Sequence, residues 1–385
     1  MGSPLRMAVL LPNKQPLGAV FDRAEPLTVG IEEEVMLIDG ETLQPAPRAA
    51  DLLAALGGDP RFKLELPAAQ IEVLTPAASS VPEAAACLRG ARRDLQRVAA
   101  GLGLRTLSVG AHPFGAPMGP LNPGPRYDEI RHQFGGLVDA QQVCGLHVHV
   151  AVGGADATIA VHDMLRAQLP EIAALATAAP FYGGVDSGLA SVRSKIAGLL
   201  PRQGVPPALG DMAGFARALE WGARAGALPE ARRWWWELRP HPTFGTLEVR
   251  VCDSQATVAD AAALAALIHA LVAALRDRHL AGEQCAAVPS WRIDENRWSA
   301  CRHGVAGLMA DLQSGELAPT RQRLERRLLE LAPYAKSLGC GRALGDARRL
   351  LAGGGTPAAH RALVAKLGVR ALVDDLCRRF CDVGE

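Results

Sequence analysis

Three consecutive glutamates interrupt an apolar, strand-like stretch near the start of the chain. They are Glu32, Glu33 and Glu34, within residues 28–39. Because side chains alternate between the two faces of a strand, Glu32 and Glu34 are predicted to project together, about 7 Å apart, while Glu33 points the other way. Two carboxylates at that spacing can share a pair of metal ions. Taken alone, the run is equally compatible with a polar edge strand.

Three later segments also place polar side chains in apolar, strand-like sequence. Each puts two such side chains on one face of a strand: Gln70 with Glu72, shortly after Glu65; His147 with His149; and Glu248 with Arg250. A sheet assembled from all four segments would have one face lined with carboxylates, imidazoles and a guanidinium group. Such a face is too polar for a dry core, so it is predicted to line a water-filled site.

The charge on that face requires compensation. Two ionised carboxylates about 5 Å apart repel by roughly 3 kcal/mol at an effective dielectric constant of about 20, and several together would oppose folding. Protons or divalent cations must therefore neutralise the cluster. Carboxylate oxygens with one or two imidazoles favour Mg²⁺, or Mn²⁺, over zinc. A solvated site with several such metals usually handles phosphate, which indicates a phosphoryl-transfer enzyme.

Longer motifs resemble the carboxylate–amine ligases of the glutamate–cysteine ligase type 2 family, within the glutamine synthetase superfamily. The resemblance extends from about residue 27 to the C-terminus. The motifs that carry it are residues 30–34 (GIEEE), 110–114 (GAHPF), 144–150 (CGLHVHV), 238–251 and 294–304. This resemblance implies an α+β fold of the glutamine synthetase type. An antiparallel sheet would curve into a half-barrel funnel, with the active site inside and helices on its outer face.

The resemblance also implies a reaction. ATP phosphorylates the side-chain carboxylate of glutamate, and the amine of a second substrate, by default cysteine, attacks the acyl phosphate to form a γ-glutamyl amide. Phosphorylation supplies the leaving group that a carboxylate lacks, while metal ions and arginines spread the charge of the transferring phosphoryl group. The expected cofactors are therefore ATP and two or three Mg²⁺ ions, and the expected partners are small molecules.

Metal ligands follow from the same resemblance. Six residues are expected in two sets: Glu32, His147 and Glu248 under the nucleotide phosphates, and Glu34, Glu65 and Glu72 facing the glutamate and the acyl phosphate. Pro67 follows Glu65 closely and can displace it from the wet face, so a surface carboxylate is the alternative for Glu65. For Glu72 and Glu248, the alternative is a structural salt bridge.

Other polar residues are expected to contact the substrates. The resemblance implies two catalytic arginines, Arg239 and Arg250, since a planar guanidinium group suits a transferring phosphate. It also implies nucleotide or phosphate contacts from His149, Lys195 and Arg297, and substrate contacts from Arg193, Arg126 and Tyr127, with Arg193 on the glutamate α-carboxylate. A hydrogen-bonded core histidine is the alternative for His149, and a solvated loop arginine for Arg126. The aromatic run at residues 234–236 is expected to pack against a helix.

Composition sets limits on the class of protein. The chain has 385 residues, 49% of them hydrophobic, and a formal net charge of +1, which argues against a nucleic-acid partner. Eight cysteines without zinc-site spacing favour a reduced, cytoplasmic location. The apolar run at residues 7–11 is too short for a signal-peptide core, and residues 259–275 are predicted to form a buried helix and not a membrane span. A homo-oligomer is the usual expectation for such an enzyme.

The sequence divides by pattern and not by an obvious linker. We expect an N-terminal extension, residues 1–26, and one catalytic domain, residues 27–385, that is rich in strands to about residue 257 and helical from 258 onward. Helical spacing of apolar residues predicts helices at 82–100, 259–280, 321–331, 344–352, 357–367 and 370–380. Strands with helices segregated behind them are typical of an α+β architecture.

Two other functions remain open at this point. A metal-dependent amidohydrolase also uses a His-x-His pair on a strand, but such enzymes carry the pair near the first strand, whereas here it lies in mid-chain. A non-catalytic sensor of glutamate or nucleotide is the other, although it would have no reason to keep so many acidic residues. The amine is equally open, because no motif selects a thiol and related enzymes join other amines to glutamate or similar acids.

Overall fold

An antiparallel sheet of seven strands carries the segments singled out above, in a computed structural model that describes residues 16–228, 233–283 and 287–381. The strands are β1 (Val29–Asp39), β2 (Phe62–Leu64), β3 (Gln70–Leu74), β4 (Leu104–Leu107), β5 (Gly145–Val150), β6 (Phe181–Tyr182), β7 (Val185–Asp186), β8 (Leu238–His241), β9 (Thr246–Asp253), β10 (Leu308–Ala310) and β11 (Leu317–Pro319). The sheet order is β2-β3-β1-β5-β9-β8, and β4 pairs with the far end of β1. The short pairs β6-β7 and β10-β11 lie outside this sheet.

Helices surround the sheet and make up most of the chain after β9. They are α1 (Leu17–Arg23), α2 (Ala49–Ala55), α3 (Val81–Gly101), α4 (Pro125–Phe134), α5 (Ala155–Leu165), α6 (Leu169–Ala176), α7 (Arg193–Ala197), α8 (Met212–Arg224), α9 (Val258–Leu280), α10 (Ser290–His303), α11 (Thr320–Ser337), α12 (Gly341–Leu351), α13 (Thr356–Leu367) and α14 (Val369–Arg379). Each of the six predicted helices is present, and α11 continues six residues beyond its predicted end at residue 331, through Pro333.

The predicted α+β architecture is present, with the main hydrophobic core behind the sheet. Alternate residues of β1, such as Ile31 and Val35, are buried there together with apolar residues of α3 and α9. In the segment expected to be an N-terminal extension, α1 buries Leu17 and Phe21 in a smaller cluster with α5 and α8. Residues 1–15 of that segment lie outside the described residues.

The long helix α9 is buried, as predicted. Within the described part of the chain it is the one helix long and apolar enough to cross a membrane, and 83% of its apolar window is buried inside the protein. It is apolar on all sides because it packs on four other helices, α3, α5, α11 and α12. An all-round apolar helix is expected for the centre of such a core.

A buried ion pair holds β1 from behind. Glu33 is fully buried on the core face, where both of its carboxylate oxygens accept hydrogen bonds from Arg92 of α3. The same guanidinium group donates to the carbonyl oxygens of Gln255, Ala256 and Phe380, so all five of its N–H groups have acceptors. The predicted reversal of Glu33 relative to its two neighbours is therefore confirmed.

Candidate active site

Cross-strand register brings the predicted polar residues together on the face opposite the core. Glu34 of β1 stands opposite Glu72 of β3, and Glu32 stands opposite His147 of β5. Further along the sheet, His149 faces Glu248 of β9, which in turn faces Arg239 of β8. Directly opposed residues of antiparallel strands lie on the same face of the sheet. The wet face thus carries a continuous row of ionisable side chains across five strands.

An irregularity in β9 places the last of these side chains. The register between β5 and β9 slips between Leu146 and Val148, as it does at a β-bulge. Arg250 lies at this point, with its Nη1 atom 3.4 Å from Nδ1 of His147, and it donates a hydrogen bond to Glu248. Arg250 thus lies on the face predicted by its alternation with Glu248, and the slip in register sets it beside His147.

Two sets of side chains are close enough to bind a metal ion. Glu32, Glu72 and His147 form one set, and Glu32, His149 and Glu248 form the other; within each set the candidate ligand atoms lie within 4.8 Å of one another. Glu32 belongs to both, with one oxygen 3.5 Å from Nδ1 of His147 and the other 3.4 Å from Nε2 of His149. A carboxylate shared in this way can bridge two metals.

The observed sets overlap the expected ones without matching them. Glu72 lies at ligand distance from Glu32 and His147, and it also stands opposite Glu34, beside which it was expected, with the charge of Glu65 acting on it. His149, expected to contact nucleotide or phosphate, lies at ligand distance from Glu32 and Glu248. His147 remains close to Glu248, at 3.8 Å, as in the expected first set. Register between strands distant in sequence decides these groupings, and face alternation within one strand could not supply it.

Crowding shifts the ionisation of the acidic side chains. Burial, together with the charge of Glu65, raises the pKa of Glu34 to about 7. Burial, with the charges of Glu32 and Glu65, holds the pKa of Glu72 well above its ordinary value. Burial and the nearby Arg250 lower the pKa of His147 to about 4, so its imidazole is neutral at pH 7. Carboxylates that resist ionisation beside a neutral imidazole form a site that a cation would stabilise.

The residues of this face fit divalent metal ions. The Nε2 atoms of His147 and His149 are buried and have no hydrogen-bond partner within the described structure. The Nδ1 atom of His149 is held by the hydroxyl of Thr246 at 2.9 Å, which orients the ring. Buried imidazole nitrogens without partners, among carboxylate oxygens, are what a metal ligand set offers before the ion binds. The mainly oxygen donors suit Mg²⁺ or Mn²⁺.

Two arginines neutralise one of these carboxylates. Glu248 is fully buried, and its oxygens accept hydrogen bonds from Arg239 and Arg250. Burial alone would raise the pKa of Glu248, but the two guanidinium groups outweigh it and hold that pKa well below its ordinary value. Both arginines, expected to grip the transferring phosphate, thus lie beside a candidate metal ligand.

A glycine leaves room for a third arginine. Arg193, at the start of α7, donates to the carbonyl oxygen of Arg250 at 3.2 Å and lines the same cavity. A Cβ atom on Gly145 would lie 2.1 Å from its Nη2 atom, so any other residue at this position would displace the guanidinium group. Gly145 also donates its backbone N–H to Glu34. Arg193 therefore reaches the wet face through a gap that only glycine leaves.

Of the ionisable side chains just described on this face, all except His149 and Glu248 line one cavity of about 510 Å³. Glu65, Arg126 and Tyr127, all expected in the site, line it as well. The Tyr127 hydroxyl donates to the carbonyl oxygen of Leu64 at 3.0 Å, which ties α4 to the loop that carries Glu65. Of the residues singled out from the sequence, nine ionisable side chains and Tyr127 line this cavity, and His149 and Glu248 adjoin it through their contacts with Glu32, Arg239 and Arg250.

Two of the expected contacts lie apart from the cavity wall. Lys195 is exposed, and its Nζ atom lies 5.0 Å from the centre of the Trp298 ring. Arg297 is buried and forms a bidentate ion pair with Glu237, with N–O distances of 2.7 to 3.0 Å. Glu237 itself lines the cavity, so Arg297 lies behind the wall and orients one of its carboxylates.

Sequence reasoning missed several cavity residues. Lys63 lies opposite Glu72 in the sheet, and its charge opposes the rise in the pKa of that carboxyl. His241 and Phe244 stack on each other, with ring centres 4.4 Å apart. Trp235, from the aromatic run expected to pack against a helix, lines the cavity, whereas Trp234 packs on Phe215 of α8. The signal for Lys63 was its alternation with Glu65, since residues two apart share a face of an extended segment.

Known proteins are similar to this chain in sequence and in fold. The sequence profile described as glutamate–cysteine ligase family 2 matches residues 28–370. A Rubrobacter xylanophilus protein, provisionally named glutamate–cysteine ligase 2-3, is 38% identical over 324 residues, which cover 83% of this chain and 87% of that protein. A Thermobifida fusca protein, provisionally named glutamate–cysteine ligase 2, is 33% identical over 368 residues, covering 94% and 92%. Among solved structures, the glutamate–cysteine ligase of Francisella tularensis in complex with AMP has the same fold, with a TM-score of 0.70, 12% identity, and coverage of 92% of this chain and 88% of that chain.

Proposed function

Because the chain belongs to glutamate–cysteine ligase family 2 and is therefore a carboxylate–amine ligase, we propose that it joins the side-chain carboxylate of glutamate to an amine, at the expense of ATP. The reaction passes through an acyl phosphate, and cysteine is the amine that the family name implies. The observation that carries the proposal is the Glu32 carboxylate shared between two ligand sets, with three arginines beside them.

The proposed ligand sets would hold two Mg²⁺ ions, and such ions, when bound, neutralise the phosphate oxygens and orient them for transfer. His147, whose imidazole is neutral at pH 7, and His149, oriented by Thr246, would offer nitrogens, and Glu32 and Glu72 would offer oxygens. We assign Glu34 and Glu65 to the glutamate side of the site, where the charge of Glu65 contributes to the raised pKa of Glu34.

The arginines supply charge that does not depend on a metal. Arg239 and Arg250 hold Glu248 in its ionised form, and both line the cavity, where their positive charge can stabilise a transferring phosphoryl group. Arg193, fixed by the carbonyl oxygens of Arg250 and Val251, is assigned to the α-carboxylate of glutamate. Arg126 and Tyr127, which also line the cavity, are assigned to substrate contact.

The experiment that tests the proposal uses the purified full chain with ATP, Mg²⁺ and glutamate, and measures ADP release against a panel of amines that includes cysteine. We expect ADP release that requires glutamate and an amine, with a γ-glutamyl amide detected by mass spectrometry. Omission of Mg²⁺ is the matched control and should abolish turnover. Absence of ADP release with every amine would contradict the proposal and favour a non-catalytic binding protein.

A further inference from the structure

The cavity has two chemically different ends along β5. Gly145, His147 and His149 follow one another on its wet face, so the direction of the strand distinguishes the two ends. At the His149 end the wall is aromatic: the rings of His241 and Phe244 stack, and His149 meets both edge-on, with ring centres 5.5 and 5.6 Å away.

The Gly145 end of the cavity has an apolar wall. Ile130 of α4 and Leu200 are buried, and they pack in one cluster with Leu66 and Trp235. All four of these residues also line the cavity. A wall of branched aliphatic side chains and an indole ring has no counterpart at the end that carries His149, and it offers little to a charged substrate group.

Connectivity places this apolar wall beside the carboxylates at the Gly145 end. Leu66 directly follows Glu65 and donates its backbone N–H to the carboxylate of Glu65 at 2.6 Å. Glu65 and Glu34 both line the cavity, and the charge of Glu65 acts on Glu34. Glu34 accepts a hydrogen bond from Gly145. The apolar cluster therefore adjoins the part of the cavity assigned above to glutamate and its acyl phosphate.

We propose that the amine substrate carries a branched aliphatic or aromatic side group, which packs against Ile130, Leu200 and Trp235. The inference rests on the proposed function, since it concerns the nucleophile of that reaction. An amine that attacks beside Glu34 and Glu65 must place its substituent in the adjoining space, and Ile130, Leu200 and Trp235 give that space an apolar wall. The short side chain of cysteine would cover only part of this wall.

The experiment compares nucleophiles of increasing apolar size with the full chain, ATP, Mg²⁺ and glutamate. One series is alanine, cysteine, leucine and phenylalanine; the second is ethylamine, isoamylamine and phenethylamine. We expect kcat/KM to rise at least about tenfold from the smallest to the largest members of one series, because each added methylene in an apolar pocket contributes on the order of tenfold. Cysteine matching or exceeding leucine and phenylalanine, together with a flat amine series, would overturn the inference.

Hydroxylamine separates a failure of this inference from a failure of the proposed function. It is small enough to reach an acyl phosphate without any side-chain contact, and its product is a γ-glutamyl hydroxamate. Hydroxamate formation with no preference among the larger nucleophiles would overturn the apolar amine while leaving the ligase reaction in place. Absence of both hydroxamate and ADP would contradict the proposed function and the inference with it.

A pair of neighbouring leucines supplies a matched variant and control. Leu200→Ala should raise KM for the apolar amine about tenfold, with KM for ATP and glutamate unchanged, because only the wall facing the amine is shortened. Leu199 is 46% exposed and does not line the cavity, so Leu199→Ala should leave all three KM values unchanged. Trp235→Leu, at a half-buried position, repeats the test should Leu200→Ala fold poorly. An unchanged KM for the amine in both cavity variants would contradict the inference.

Discussion

Glutamate side chains on the two faces of β1 have opposite electrostatic environments. On the core face, Glu33 is fully buried and both of its oxygens are bound by Arg92. On the wet face, Glu32 and Glu34 are crowded by other carboxylates, and the pKa of Glu34 is raised to about 7 by burial and by Glu65. The charge of a buried carboxylate paired with an arginine is already neutralised, and the pair has a structural role. The charge of crowded carboxylates still needs a bound cation. Position on the strand, and not residue type, separates structure from function here.

The largest difference between the faces is expected in catalysis. Glu72→Gln removes one oxygen ligand from the wet face, and turnover should fall by about a thousandfold, since a metal contributes several kcal/mol of charge stabilisation. The metal-free protein should nevertheless be at least as stable as the wild type, because the substitution relieves repulsion among carboxylates. Steady-state kinetics and urea unfolding in the presence of a chelator measure the two effects.

The matched control for that variant is Glu33→Gln on the opposite face. It should destabilise the protein because it leaves Arg92 buried with a weaker partner, whereas its direct effect on metal binding should be small. A Glu72→Gln protein that keeps wild-type turnover would remove Glu72 from the candidate metal site. One that is clearly destabilised without metal would contradict the contrast between the faces.

The next effect is on folding stability at the core face. Arg92→Met should lower the free energy of unfolding by roughly 3–5 kcal/mol, because it leaves the charge of Glu33 buried without its partner. Urea unfolding measures the loss. The double variant Arg92→Met with Glu33→Leu should recover most of it, since an apolar pair can replace a buried ion pair. A loss below about 1 kcal/mol in the single variant would mean that the ion pair is not what secures β1 from behind.

The smallest effect concerns pH. The folded-state pKa of Glu34 is raised from 4.5 to about 7, so Glu34 binds its proton more tightly in the folded protein than in the unfolded chain. Its contribution therefore makes the metal-free protein less stable as pH rises from about 4.5 to about 7, and that stability returns as pH falls. A cation bound in the neighbouring ligand sets favours the ionised form of Glu34, so the stabilising effect of Mg²⁺ should be larger at about pH 8 than at about pH 6.

Thermal melts in chelator and in Mg²⁺ across this pH range provide the measurement, with Glu34→Gln as the control. The variant should show a flatter dependence of Tm on pH in chelator, and less stabilisation by Mg²⁺ at the higher pH. Parallel pH profiles for the wild type and the variant would show that Glu34 does not titrate in this range.

Sequence alone predicted several features that depend on a local period. Alternation along one strand correctly separated Glu33 from Glu32 and Glu34, and helical spacing located α3 and α9 to within one residue at each end. The family resemblance stated from the motifs is confirmed by the profile match over residues 28–370. These features need only nearest neighbours or motifs, and both can be read directly from the order of residues.

Partners across the sheet could not be predicted in the same way. No local sequence pattern predicts that His149 faces Glu248, about a hundred residues later. Nor does any local pattern predict that a slip in register sets Arg250 beside His147. Arg92 was overlooked although it lies among the apolar positions of α3, next to Ala91 and three residues before Leu95. A charged residue on the apolar stripe of a helix is a signal for a buried partner, but its identity depends on tertiary packing.

The burial of α9 has a consequence for the order in which the protein is made. The strands of the main sheet and the helices α3 and α5 precede α9 in the chain, while α11 and α12, which also pack on it, follow it. As the polypeptide leaves the ribosome, an apolar helix of 23 residues therefore lacks part of its cover until α11 and α12 have been synthesised. Truncated chains that end before α11 should aggregate or associate with lipid, even though every residue proposed to bind a metal ion would already be present.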